Sequence, residues 1–157
     1  MTRFTKAFGE KYQTAITEIR TKSFKMGEYE FKVRVPLSAE MDAMLKRVTD
    51  LPEDEVKARL EKMTSALRTD TPKNVELKED GDVLVDGRSS RELVSAVLMM
   101  ERRITEHFKL LVPTEGDFSD ITYAEIEAEF PLTTQLEFVD AITAAIQPGY
   151  KDSRKNS

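Results

Sequence analysis

His107 is the only histidine in this 157-residue chain, and there is no cysteine. Disulfide frameworks, thiolate catalysis and cysteine–zinc sites are therefore excluded. A nucleophile–base pair would have to be built around one imidazole or from carboxylates alone. His107 stands three residues after Ile104 and four before Leu111. Helical spacing puts it on the flank of an apolar stripe near a helix C-terminus, where the dipole favours a cationic ring. That is a structural position, and neither catalysis nor metal binding is expected of it.

The acids offer little more. Asp80, Asp82 and Asp86 have the close spacing of a calcium loop, but the EF-hand pattern needs glycine at its sixth position and glutamate at its twelfth. Counted from Asp80, those positions hold Val85 and Arg91. Glu79-Asp80-Gly81-Asp82 reads instead as a hairpin turn. Glu125, Glu127 and Glu129 alternate on a predicted helix and so spread around it, which favours no acid–base pair. No Gly-rich phosphate loop, nucleophile elbow or His-Glu-x-x-His is present. Arg88, Arg91, Arg102 and Arg103 are interleaved with Asp86, Glu92, Glu101 and Glu106, the pattern of a solvated helix face. The residues predict no enzyme, no metal and no cofactor.

Methionine carries a second reading besides core filling. Met41, Met44, Met63, Met99 and Met100 fall on predicted helices, and pliable methionine surfaces accept varied amphipathic helices. Two short helices joined near Leu51-Pro52 would make such a groove. The candidate partner-binding residues are Met41, Met44, Leu45, Val48, Val56, Leu60 and Met63.

The elements that must position these residues follow from periodicity. Phe4, Phe8, Tyr12, Ile16 and Ile19 form a helical stripe interrupted at Gly9. Glu28 to Val35 alternates strictly and predicts a half-buried strand ended by Pro36; an isolated strand needs a partner, and the hairpin at 75–85 is the expected one. Ser38 is the expected N-cap of a helix carrying Met41, Met44, Leu45 and Val48. Pro52 and three acids open another, with Val56, Leu60, Met63 and Leu67 on one face. Thr69 to Asn74 is the candidate linker. Val75–Leu77 and Val83–Val85 flank the turn already named. Ser89 and Glu92 form a capping-box signature before the longest helix, whose face is Leu93, Val97, Met100, Ile104, Phe108 and Leu111, widened near its start by Val94, Leu98 and Met99. Thr122 and Glu125 form a second box. A last helix carries Leu136, Val139, Ile142 and Ile146.

Composition sets the outer limits. Charged residues reach 34%, against about 25% for an average domain, and 24 basic against 29 acidic residues give a net charge of −5. A net-acidic chain lacks the footprint of a nucleic-acid binder. The longest mainly apolar stretch, Leu93 to Met100, is far short of the roughly 20 residues of a membrane span, and Met1 to Lys11 has no signal-like apolar segment. The expectation is one α+β domain over 1–150, predominantly helical: about six helices, one firm strand (28–35) and a small hairpin (75–85). Residues 151–157 are expected to form a flexible basic tail.

Several stretches resemble the tail assembly chaperones of long-tailed bacteriophages. They are Glu28-Tyr29-Glu30-Phe31-Lys32-Val33-Arg34-Val35-Pro36, the run from Ile104 to Pro113, the run from Ile121 to Leu132, and the close at Pro148-Gly149-Tyr150. The resemblance implies a mostly helical, non-enzymatic protein of virion morphogenesis that acts in the host cell cytoplasm. Its partners would be the tape measure protein and the tail tube protein, with self-association possible and neither nucleic acid nor membrane involved. It also implies a longer form made by ribosomal frameshifting, for which Lys155-Asn156 is the candidate slip site. The alternatives are a small structural tail or head-tail connector protein of the virion, and a bacterial adaptor or regulatory protein.

Overall fold

The alternating stretch expected at 28–35 is a strand in the computed structural model, which describes residues 1–148. Its partner is the segment just before it. β1 (Thr21–Met26) and β2 (Tyr29–Arg34) pair antiparallel, from Thr21 opposite Arg34 to Met26 opposite Tyr29. Gly27 and Glu28 make the two-residue turn, with Gly27 at φ +62°, as tight hairpins require. The hairpin at 75–85 is therefore not the partner. β1 is hard to read from the sequence because only its last four residues, Ser23-Phe24-Lys25-Met26, alternate; it pairs because the turn brings it back. Beyond β2, Arg34 N–H donates to Leu110 O and Val112 N–H to Lys32 O, each at 2.8 Å. Val33 and Leu111 thus form a short bridge on the strand's other side.

The chain groups into two compact units. The first unit joins Met1–Met41 to the described residues from Ile104 on, 104–148. It contains α1 (Arg3–Ile19), the β1–β2 hairpin, α5 (Tyr123–Glu129) and α6 (Leu132–Ile146). Its core is aromatic. The Phe138 ring lies 5.0 Å from Phe31, 4.9 Å from Phe108, 4.9 Å from Phe130 and 6.3 Å from Phe24, centroid to centroid. These offset and edge-on arrangements are the favoured geometries for such rings. Phe108 is almost fully buried here; Phe108→Ala is expected to lower the unfolding free energy by about 3–5 kcal/mol in urea titration.

The α6 stripe differs from the one expected. Gln135, Phe138, Val139 and Ile142 face inward, and Leu136 faces solvent. Gln135 can be buried because both ends of its amide are bound. Its Nε2 donates to Phe130 O at 2.8 Å, and its Oε1 accepts from the Tyr123 hydroxyl at 2.9 Å. The Thr122–Glu125 box is complete at the start of α5: Glu125 N–H donates to Thr122 Oγ1 at 3.3 Å, and Thr122 N–H donates to Glu125 Oε2 at 2.8 Å.

The second unit spans Asp42–Arg103. It holds most of α2 (Ser38–Thr49), then α3 (Glu53–Thr69), a three-stranded antiparallel sheet of β3 (Val75–Leu77), β4 (Val83–Val85) and β5 (Arg88–Ser89), and most of α4 (Ser90–Phe108). Val56 and Leu60 of α3 pack with Val94 and Leu98 of α4, with Leu51 against them. Asp86 and Gly87 both have positive φ between β4 and β5, a primed hairpin turn. The Thr69–Asn74 stretch is internal to this unit. The unit boundaries fall inside α2 and α4, so α4 supplies Val94 and Leu98 to one core and Ile104 and Phe108 to the other. Ser38 is the first residue of α2, and Glu40 Oε1 accepts from Leu37 N–H at 3.4 Å.

Candidate docking surface

The structure divides the seven candidate partner-binding residues. Met44, Val48, Val56 and Leu60 are buried, while Met41, Leu45 and Met63 are exposed. Helical drift explains Met63: the inward line of α3 runs Val56, Leu60, Thr64, each four residues on. Thr64 replaces an apolar residue there because its hydroxyl donates to Leu60 O at 2.6 Å, leaving no polar atom unsatisfied. Leu93, expected in the core of α4, is outside for the same reason, since the buried line begins at Val94 and Leu98.

Met63 and Leu93 meet the same open cleft of the second unit, about 1250 Å³ in volume. Thr64 and Leu67 of α3 form one wall, Leu84 and Val85 of β4 another, and Ser89 with Ser90, Glu92 and Leu93 of α4 the third. Met63 is 43% exposed and Leu93 56%. The lining is mixed: Lys78, Arg88, Asp86 and Glu92 bring two cations and two anions beside Met63, Leu67, Leu84, Val85 and Leu93. Met63 and Leu67 share a face that helical periodicity already marks; folding brings Leu84 and Leu93 to them.

Buried Asp82 and a set of arginines hold the walls. Asp82 Oδ1 accepts from Val83 N–H at 2.7 Å and from Arg91 N–H at 2.9 Å, and Oδ2 accepts from the Ser89 hydroxyl at 2.5 Å. Ser89 Oγ in turn accepts from Glu92 N–H at 3.2 Å. Ser89 and Asp82 together thus satisfy two of the free amides that open α4. Burial pushes the Asp82 carboxyl up, but the Ser89 hydroxyl, the two backbone amides and the Arg91 charge outweigh it and hold it below the ordinary aspartate value. Arg68 Nη2 donates to Gly81 O at 2.7 Å, tying the end of α3 to the β3–β4 turn.

α3 and α4 are joined by ion pairs. Arg59 binds Glu101 through two bonds of 2.9 and 3.1 Å, Arg91 meets Glu53 at 2.5 Å, and Arg102 meets Glu55 at 2.5 Å. The arginines read as a solvated face are in part a clamp between helices, because their partners on α3 are remote in sequence. In the first unit, Glu40 binds Arg34 at 2.6 Å and Arg20 at 3.0 Å. The Arg34 bond, with help from Arg20, lowers the Glu40 carboxyl against the opposing effect of burial.

The residues considered for catalysis stand apart. His107 Nε2 lies 3.3 Å from Thr143 Oγ1 of α6, a contact that seats the ring between two helices. Asp80 Oδ1 accepts from Asp82 N–H at 3.0 Å, as a turn aspartate does. Among the described residues no group of three or more acidic or histidine side chains is placed to hold a metal ion, and no helix is long and apolar enough to cross a membrane. No family model, curated protein or solved structure matches this chain.

Proposed function

We propose that this chain is a non-enzymatic tail assembly chaperone of a long-tailed bacteriophage, which binds the tape measure protein, keeps it soluble and assists assembly of the tail tube around it. The observation that carries this reading is the cleft of the second unit, with Met63 and Leu93 exposed beside Leu67 and Leu84. Its volume exceeds the roughly 300–1,000 Å³ of small-molecule pockets. Its mixture of exposed apolar side chains and charges of both signs suits one ridge of an amphipathic helix, recognised through side chains at helical spacing. Methionine and leucine repack around varied ridges, which a long client of changing sequence demands. The resemblance of Glu28–Pro36, Ile104–Pro113 and Ile121–Leu132 to the chaperone family supplies the identity of that client.

Co-expression with the tape measure protein of the same phage tests this. The wild-type chain is expected to keep the client in the soluble fraction and to purify with it. Met63→Asp with Leu93→Asp should weaken capture by about tenfold or more, with an unchanged far-ultraviolet spectrum because both side chains already face solvent. A client that stays insoluble with the wild-type chain would refute the reading. So would recovery of the chain from purified virions at fixed stoichiometry, which belongs to a connector.

A further inference from the structure

We infer that α1 carries a basic aromatic knob that docks on the acidic, leucine-bearing face of α6 in a second copy of this chain. The inference stands on the first unit alone and is independent of the cleft and its client.

α1 buries none of its residues. Phe4 is 59% exposed and Phe8 65%, yet the two rings and Tyr12 form one cluster. Phe4–Phe8, Phe8–Tyr12 and Phe4–Tyr12 centroids are 6.3, 5.6 and 6.1 Å apart. Residues eight apart on a straight helix are separated by about 12 Å of rise. Gly9, at φ +79° and ψ −164°, breaks the helix in a conformation open essentially to glycine and brings Phe4 back to Tyr12. The same stretch, residues 3–12, carries Arg3, Lys6 and Lys11 against one acid, Glu10.

The complement lies on the same unit. From Thr114 to Pro148 the chain has eight acids and no lysine or arginine. Within that stretch Leu132 and Leu136 are 44% and 40% exposed on α6. Asp140 is one turn further and exposed, with exposed Glu137 beside it. Leucines at successive turns, edged by carboxylates, match aromatic rings edged by cations in both apolarity and sign. Because the two faces differ, the contact is head-to-tail, and each copy keeps one free face for the next. Two short helix faces cover less than the roughly 800 Å² per partner of a standard interface, so the association is weak and concentration-dependent.

Sedimentation velocity over a dilution series tests it. The wild-type chain is expected to form species that grow with concentration and shrink as salt screens the charges. Phe4→Ser with Phe8→Ser, or Leu132→Glu with Leu136→Glu, should each weaken association by about tenfold or more. A mixture of these two double variants should give a dimer that does not extend, since each retains one intact face. Asp140→Lys should weaken the contact and Lys11→Glu on the other copy should restore it, a pair that keeps the test decisive should the glutamate variant fold poorly. A wild-type chain that stays monomeric, a mixture that stays monomeric, association indifferent to the α6 changes, or binding of α1 to anionic lipid vesicles in place of self-association would each overturn the inference.

Discussion

Phe138→Ala is expected to lower the unfolding free energy by about 3–5 kcal/mol, among the largest losses for a single core truncation. Its ring touches four others, two from the β1–β2 hairpin (Phe24 and Phe31) and two from the helical side (Phe108 and Phe130). Removing it leaves a cavity among rigid rings that cannot easily collapse inward, which adds to the lost transfer energy. Phe138→Leu keeps most of the volume and should cost less than about 1.5 kcal/mol if neighbours repack. The measurement is urea unfolding, with hydrogen exchange to locate the damage: Thr21–Met26, Tyr29–Arg34 and α6 should lose protection together. Equal stability of Phe138→Ala and the wild type would contradict the aromatic core.

Asp82→Ala is expected to cost about 2–3 kcal/mol, because it strands the amides of Val83 and Arg91 and the Ser89 hydroxyl at the mouth of α4. The carboxylate also makes stability depend on pH. Its folded-state value is lowered, so its contribution is fully present above the unfolded value, near 3.9, and is lost as pH falls through the folded one. Asp82→Asn should flatten that part of the acid limb while leaving neutral-pH stability below the wild type, since an amide offers one acceptor oxygen where three donors converge. An unchanged acid limb in Asp82→Asn would show that other carboxylates carry it. Because α4 opens the third wall of the cleft, client binding should weaken with Asp82→Ala as well.

What the sequence determined by itself was whatever rests on local rules. The Thr122–Glu125 box, the β3–β4 turn around Gly81, the alternating β2 and the six helices are legible because capping, turn chemistry and periodicity act over a few residues. Tertiary structure alone decided the inward lines of α3 and α6 in detail and where the chain divides. Val56–Leu60–Thr64 and Gln135–Phe138–Val139–Ile142 are buried lines containing polar residues, so hydrophobicity favours the neighbouring lines through Met63 and Leu136. The choice depends on a Thr64 hydroxyl and a Gln135 amide finding partners. The unit boundaries lie inside continuous helices, where no glycine, proline or change of composition marks them. The aromatic knob depends on one backbone angle at Gly9. Packing partners remote in sequence fix the first two, and a glycine's freedom to take a conformation other residues avoid fixes the third.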